Sequence, residues 1–324
     1  MNKLARKLLK APRGVPGYLP LARKLHARSA AIVMYHGVAA SELPVFNWCQ
    51  LAAAEFEQQI AFLSREYNVL PLAELIRRMA GGQPLPLRAT AITFDDGFSN
   101  VKDVAAPLLA KYQLPYTIFL VTSLVGTAQL AWPEQLYSAI ARSAHREFSV
   151  GGMRFFLKTP EERSTTYRVL THHMKALPFD EMDDMLQQTL TTLDAPDETP
   201  LLSVLGWDDV TNMSRSPLVD FGSHTHTHPI LSRCSVERQG DELRTSRDIL
   251  RERLGNAELF AYPNGRTEDF TRDTKKLLAE SGYKCGLTTV AGTIKHSDDL
   301  YALRRVCVGA DTTFDQFQCE MLGW

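Results

Sequence analysis

The chain has 324 residues, 44% of them hydrophobic and 23% charged, with a formal net charge of −1. That is enough apolar material for a sizeable core, at a length ordinary for a single α/β barrel. It supplies no overall positive field of the kind nucleic-acid binding draws on, and no run of about 18 apolar residues reads as a membrane span.

Charge is uneven along the chain. No Asp or Glu precedes Glu42, while Lys3, Arg6, Lys7, Lys10, Arg13, Arg23, Lys24 and Arg28 are basic. Residues 1–29 therefore form a basic arm ahead of a main unit at 30–324. The arm lacks the long apolar core and small-residue cleavage site of a secretory signal, and it is poor in the Ser of a transit peptide. Leu4, Leu8 and Leu9 sit at helical spacing among cations. That pattern fits a solvated, frayed terminus and also peripheral contact with an anionic membrane surface. Five scattered cysteines without a C-x-x-C pair suggest neither a disulfide framework nor a thiolate zinc site; reduced thiols and a cytoplasmic location fit them.

From residue 30 onward short apolar runs alternate with helical patterns. "AAIVMYH" (30–36), "TAITFDD" (90–96), "YTIFLVT" (116–122), "LVDFGSH" (218–224), "LFAYP" (259–263), "KCGLTT" (284–289) and "ALRRVCV" (302–308) read as buried strands. Between them "AAAEFEQQIAFLSRE", "FSNVKDVAAPLLAKY", "SVERQGDELRTSRDILRERLG" and "FTRDTKKLLAESG" read as helices. Ser235 is an expected N-cap, and Gly255 and Gly282 are expected left-handed stops. Such alternation predicts parallel strands joined by helical crossovers. The stretch from about 132 to 203 breaks the rhythm. "PEQLYSAIARSA" and "FDEMDDMLQQTLTTL" look helical, and "FSVGGMRFFL" looks like a hairpin turning at Gly151–Gly152. This is an insertion, suited equally to structural padding and to walling a substrate groove.

The unusual polar residues gather at the predicted carboxyl ends of strands, where parallel α/β folds place their sites. "AITFDDG" ends a buried strand with Asp95 and Asp96. An ionised pair there is costly without a cation or hydrogen-bond donors, so the pair asks for a metal. "SHTHTHP" supplies imidazoles. One helical turn would aim His224 and His228 at one point and His226 elsewhere, whereas an extended segment would line up all three. Two imidazoles and a carboxylate suit zinc or a similar divalent ion with open positions for water. "FAYPNG" is a turn able to present a backbone N–H to an anion, and "MYHG" puts His36 on the same rim as a candidate proton donor.

"TFDDG", "SHTHTHP" and the proline turn, in that order, resemble the NodB-type polysaccharide deacetylases (carbohydrate esterase family 4). The likeness runs from about Ile32 to Val308 and includes "IVMYHGV", "GWDDVTNM" and "LYALRRVCV". It implies a distorted (β/α) barrel carrying a mainly helical insertion. It also implies Asp95 as general base, Asp96, His224 and His228 as metal ligands, and the Asn264 N–H as oxyanion donor. The metal would be zinc foremost, with cobalt, nickel or manganese also compatible.

Two positions depart from the usual family pattern. Ala261 stands where an Arg commonly braces the base, which leaves Arg305 as a substitute. The usual late acid histidine has no counterpart, since His296 lacks its leucine pattern. The biofilm exopolysaccharide branch uses an early "YH" histidine instead, which matches His36. The implied function is hydrolysis of N-acetyl groups on amino sugars of a bacterial surface polysaccharide, or of its lipid-linked or nucleotide precursor. A deformylase or O-deacetylase with the same site, and an inactive sugar-binding protein, are the alternatives.

Overall fold

The computed structural model describes residues 29–194 and 201–323. Nearly all of the basic arm, and the turn-rich segment from residue 195 to 200, lie outside the described residues. In chain order the strands are β1 (Ala31–Tyr35), β2 (Gly37–Ala39), β3 (Gln50–Ala52), β4 (Asn68–Val69), β5 (Ala89–Phe94) and β6 (Tyr116–Leu120). There follow β7 (Glu147–Val150), β8 (Met153–Phe156), β9 (Val219–Ser223), β10 (Leu287–Ala291) and β11 (Leu303–Cys307).

Seven strands make one sheet in the order β10-β11-β1-β5-β6-β9, with β4 beside the start of β5. Every pairing in it is parallel. The cause is visible in β1, β5 and β6, which are buried at every position. Strands without a solvent face read as continuous apolar runs, and helical crossovers must cover them. Their alternate residues feed two cores. Val33, Tyr35, Ile92, Phe94 and Ile118 pack with Phe56, Ile60 and Leu63 of the helix Ala53–Glu66. Ile32, Ala91, Phe119, Ala261, Leu287 and Leu303 gather with Leu72, Leu75 and Ile76 of the helix Leu72–Ala80. Residues from distant places in the strand order meet in this second core, so the sheet curls.

The segment predicted as a strand at 259–263 is reduced to single bridges. Ser223 pairs with Phe260 and Ala261 with Leu287, both parallel, which links outer strand β9 to outer strand β10. One stave is thus almost absent. The predicted strand at 284–289 shifts to β10, where its register with β11 is irregular. The helix Val236–Leu254 begins at Ser235, whose side chain accepts from Arg238 N–H, and stops at Gly255 with φ 76°.

The insertion contains the helix Trp132–Arg142, the β7–β8 hairpin, and the helices Pro160–Met174 and Phe179–Leu193. The hairpin turns at Gly151 and Gly152, both at positive φ, as a two-residue loop between right-twisted strands demands. Trp132, Leu136, Ile140, Phe148, Phe155, Leu170 and Leu186 form its own core. The chain then returns to the barrel rim. Leu205 N–H donates to Gly97 O at 2.9 Å and Ser99 N–H to Ser203 O at 2.8 Å.

Candidate active site

Parallel strands of one sheet end on one rim, so His36 after β1, Asp95 and Asp96 after β5, and His224 after β9 converge without any special device. The two aspartates nevertheless face different partners. Asp95 continues the strand, donating its N–H to Tyr35 O at 2.9 Å. Asp96 turns into the left-handed region at φ 67°, followed by Gly97 at φ 69°. Asp tolerates that conformation better than most residues. Gly97 is required on two counts: its φ, and the space, because a Cβ there would lie 2.8 Å from Leu120 Cδ2.

Asp95 is gripped by Arg305 from β11. The guanidinium donates to Oδ1 at 2.8 Å and to Oδ2 at 2.7 Å, and its Nε donates to Thr288 O at 2.8 Å. Arg305 is fully buried and Asp95 is 1% exposed. Burial pushes the Asp95 carboxyl up, but the Arg305 charge and the imidazole of His224 outweigh it, leaving its pKa below the usual carboxylate range. Asp95 therefore stands ionised, as a proton acceptor must.

Asp96 faces the imidazoles. Its Oδ1 lies 3.4 Å from His224 Nε2 and 3.3 Å from His228 Nε2, and the three ligand atoms lie within 4.8 Å of one another. Oδ1 is buried without a hydrogen bond. Three ligands about 2.0–2.1 Å from one tetrahedral ion stand about 3.3 Å apart, so the spacing fits a shared cation. His224 Nδ1 meets Ala261 O at 2.8 Å, which commits that nitrogen to donating and leaves Nε2 free as a ligand. Burial holds the Asp96 carboxyl up, yet the imidazoles draw it well below its ordinary value.

The turn that brings His224 and His228 together is not helical. Thr225 and His228 both have left-handed backbones, at φ 66° and 62°. Thr225 Oγ1 donates to His224 O at 2.5 Å and accepts from His228 N–H at 3.0 Å. The rings end with centroids 5.0 Å apart. His226 points away, its Nδ1 3.0 Å from Thr122 Oγ1.

His36 Nε2 is 3.9 Å from Asp96 Oδ2, and its ring meets Trp48 edge-on at 5.7 Å. Burial lowers its pKa against the opposing pull of Asp96 and Asp95, which makes its protonated form a stronger acid. Asn264, at φ 59°, sits three residues beyond Ala261. Its side chain donates to Asp269 Oδ2 at 2.5 Å and its carbonyl accepts from Thr289 Oγ1 at 2.6 Å. Its backbone N–H has no hydrogen-bond partner among the described residues. His296 is exposed.

Two neighbours carry no signal in the sequence. Trp48 arrives on the β2–β3 loop, whose apolar composition is common to many loops. Glu134 lies on the insertion helix Trp132–Arg142, which the Tyr137 hydroxyl ties to Val45 O at 2.7 Å. Glu134 is 3% exposed; burial and then the Asp96 charge push its carboxyl up to about 8. It adds little negative charge at neutral pH.

The polysaccharide deacetylase family model matches residues 82–286. A poly-β-1,6-N-acetyl-D-glucosamine N-deacetylase of Staphylococcus epidermidis is 24% identical over 267 residues, covering 79% of this chain and 67% of that protein. Among solved structures, the Streptococcus pyogenes deacetylase PplD in complex with acetate superposes with a TM-score of 0.61 at 20% identity, covering 90% of this chain and 98% of that one. IcaB from Ammonifex degensii gives 0.59 at 20% identity, covering 91% and 98%. These structures share the α/β fold, a distorted barrel of parallel strands and helices. The chain belongs to the polysaccharide deacetylase family, hydrolases of carbon–nitrogen bonds other than peptide bonds.

Proposed function

We propose that this protein is a metal-dependent N-deacetylase of a bacterial surface glycan built from N-acetylated amino sugars. The reading is carried by one observation: Asp96, His224 and His228 converge beside an Asp95 that is held ionised by Arg305 and belongs to no ligand set. The S. epidermidis relative, named for a poly-N-acetylglucosamine substrate, favours a β-linked N-acetylglucosamine polymer or its precursor over other amides.

Asp96, His224 and His228 would hold the cation, zinc first among the candidates. When bound, it would supply Lewis acidity, making water more acidic and the acetyl carbonyl more electrophilic. Asp95 accepts the proton of the attacking water through a carboxylate oxygen; Arg305 fixes its orientation. The Asn264 N–H is the donor for the oxyanion that develops on the acetyl oxygen. His36 Nε2 passes a proton to the departing sugar amine. Trp48 packs edge-on against the His36 ring and helps to hold it.

The test is release of acetate from N-acetylglucosamine oligomers by purified protein, with and without chelator, beside the Asp95→Asn variant. Chelation should abolish release and zinc restore it, and Asp95→Asn should lower turnover about 10²–10⁴-fold. Mass analysis of products from N-acetyl, N-formyl and O-acetyl substrates separates the three acyl chemistries. Full activity in chelator, or an unimpaired Asp95→Asn variant, would refute the mechanism.

A further inference from the structure

Glu242 sits two turns into the helix Val236–Leu254, on the face that carries buried Gln239, Leu243, Ser246 and Leu250. It is 5% exposed, and among the described residues no cation pairs with it. A buried carboxylate in that position is expensive unless its oxygens are satisfied in another way. They are satisfied by the histidine turn. Oε2 accepts from the backbone N–H of His226 at 2.9 Å and of Thr227 at 2.8 Å, and Oε1 accepts from the Thr227 hydroxyl at 2.5 Å.

One turn further along the same helix, Ser246 Oγ is 2.6 Å from Ser223 Oγ, and that hydroxyl accepts from Thr225 N–H at 3.2 Å. The helix thus grips the strand end at Ser223 and the turn at His226–Thr227. Between and beside these grips lie His224 and His228. The turn needs holding, since Thr225, a β-branched residue, and His228 both occupy a left-handed conformation that L residues avoid. Without the carboxylate, two backbone N–H groups and a hydroxyl lose their acceptor, and the left-handed turn loses the contact that offsets its strain.

We propose that Glu242 is a positioning residue for the cation site, acting through the His226–Thr227 backbone to hold His228 opposite His224 and Asp96. This rests on the reading of Asp96, His224 and His228 as metal ligands. The role is one of hydrogen-bond geometry: two acceptor oxygens at a fixed reach, spanning the turn from below. A glutamine keeps that reach. Its carbonyl can face the two N–H groups while its amide donates to the Thr227 hydroxyl. An aspartate keeps the charge but is one methylene short.

The experiment is zinc affinity of the full chain, measured by competition with a chromogenic chelator, together with the visible spectrum of the cobalt-loaded protein. Wild type, Asp96→Asn, Glu242→Gln, Glu242→Asp and Glu242→Ala are compared, each checked for a cooperative melt without metal. Glu242→Gln should bind within about threefold of wild type, and Glu242→Asp and Glu242→Ala about 10–100-fold more weakly, the range typical for partners that orient metal ligands. The weakened variants should also show a shifted cobalt spectrum, which a purely structural defect remote from the ligands would leave in place.

Should Glu242→Ala fail to fold, the Gln and Asp variants decide. Aspartate binding like wild type while glutamine fails would mean that charge, not geometry, matters, and would overturn the proposal. So would wild-type affinity and spectrum in a folded Glu242→Ala. If wild type itself binds no better than Asp96→Asn, the metal reading fails and the clamp falls with it. If wild type binds and Asp96→Asn does not, only the Glu242 series bears on the clamp.

Discussion

Arg305 and Asp95 form a two-pronged, buried ion pair. Such a pair is a weak source of net stability, because both charges were stripped of solvent to make it. Its loss is another matter. Removing Arg305 strands a buried carboxylate, and Arg305→Met should destabilise the fold by about 3–5 kcal/mol, read by denaturant unfolding. The double variant Arg305→Met with Asp95→Asn should recover much of that loss, as its remaining polar groups are neutral. A double variant no more stable than Arg305→Met alone would show that the damage comes from lost packing instead. The neighbouring Asp96 shows the opposite economy. Its Oδ1 has no hydrogen-bond donor, an arrangement that costs stability in metal-free protein and that a cation would relieve.

At the level of elements, the strands set where functional side chains begin and the turns set where they point. β1, β5 and β9 each deliver one or two polar residues to a common rim because they are parallel and similarly registered. The turn after each strand is individual: a left-handed Asp96–Gly97 step leaves β5, and a doubly left-handed turn leaves β9. Residues 132–193 have a core of their own, though Tyr137 also packs into the main core. Leu170 is fully buried in a core made almost wholly of insertion residues. Leu170→Ala should cost about 2–5 kcal/mol within that unit. Hydrogen exchange should then rise in residues 132–193 while β1, β5 and β6 keep their protection; a uniform rise across the chain would show that the insertion and barrel unfold together.

For the whole molecule, a cation held by Asp96, His224 and His228 would link distant parts of the chain, since Asp96 and His224 are joined only by folding. A ligand that binds the native state alone stabilises it by mass action, about 2.7 kcal/mol at a hundredfold excess over Kd. The melting temperature should therefore climb with zinc concentration in wild type and stay flat in Asp96→Asn. An equal rise in both would place the zinc elsewhere. Among the described residues no helix is long and apolar enough to cross a membrane, and all five cysteines are free.

Much of this architecture is legible in local patterns. β1, β6, β9 and β11 fall within the apolar runs expected of them and β5 starts one residue before its run, because strands buried in a parallel sheet must be largely apolar. Ser235, Gly255 and Gly282 mark helix ends through chemistry that acts within a few residues. Asp95, Asp96, His224 and His228 are conspicuous because charged and titratable residues at the ends of buried strands need a reason to be there. The helix Pro160–Met174 gives no comparable sign. Its apolar residues are not concentrated on one face, so periodicity carries little signal and packing against its neighbours decides its state. The stave expected at 259–263 shrinks to two bridges because its hydrogen bonds depend on both flanking strands, which no local pattern encodes.

The site divides along the same line. Residue chemistry by itself pointed to a cation site at this rim, since an imidazole or a carboxylate brings its donors and charge wherever it is placed, and the family resemblance added Asp95 as the expected base. The resemblance named Asp96 as the carboxylate that joins the imidazoles, but what turns it toward them is a single left-handed φ at Asp96, which only folding sets. Folding brought Arg305, which the sequence offered only as a candidate, across 210 residues onto Asp95, and it alone supplied Glu242 from a helix whose Glu looks like any other surface charge. Those choices are made by distances across the chain, and linear order does not contain them.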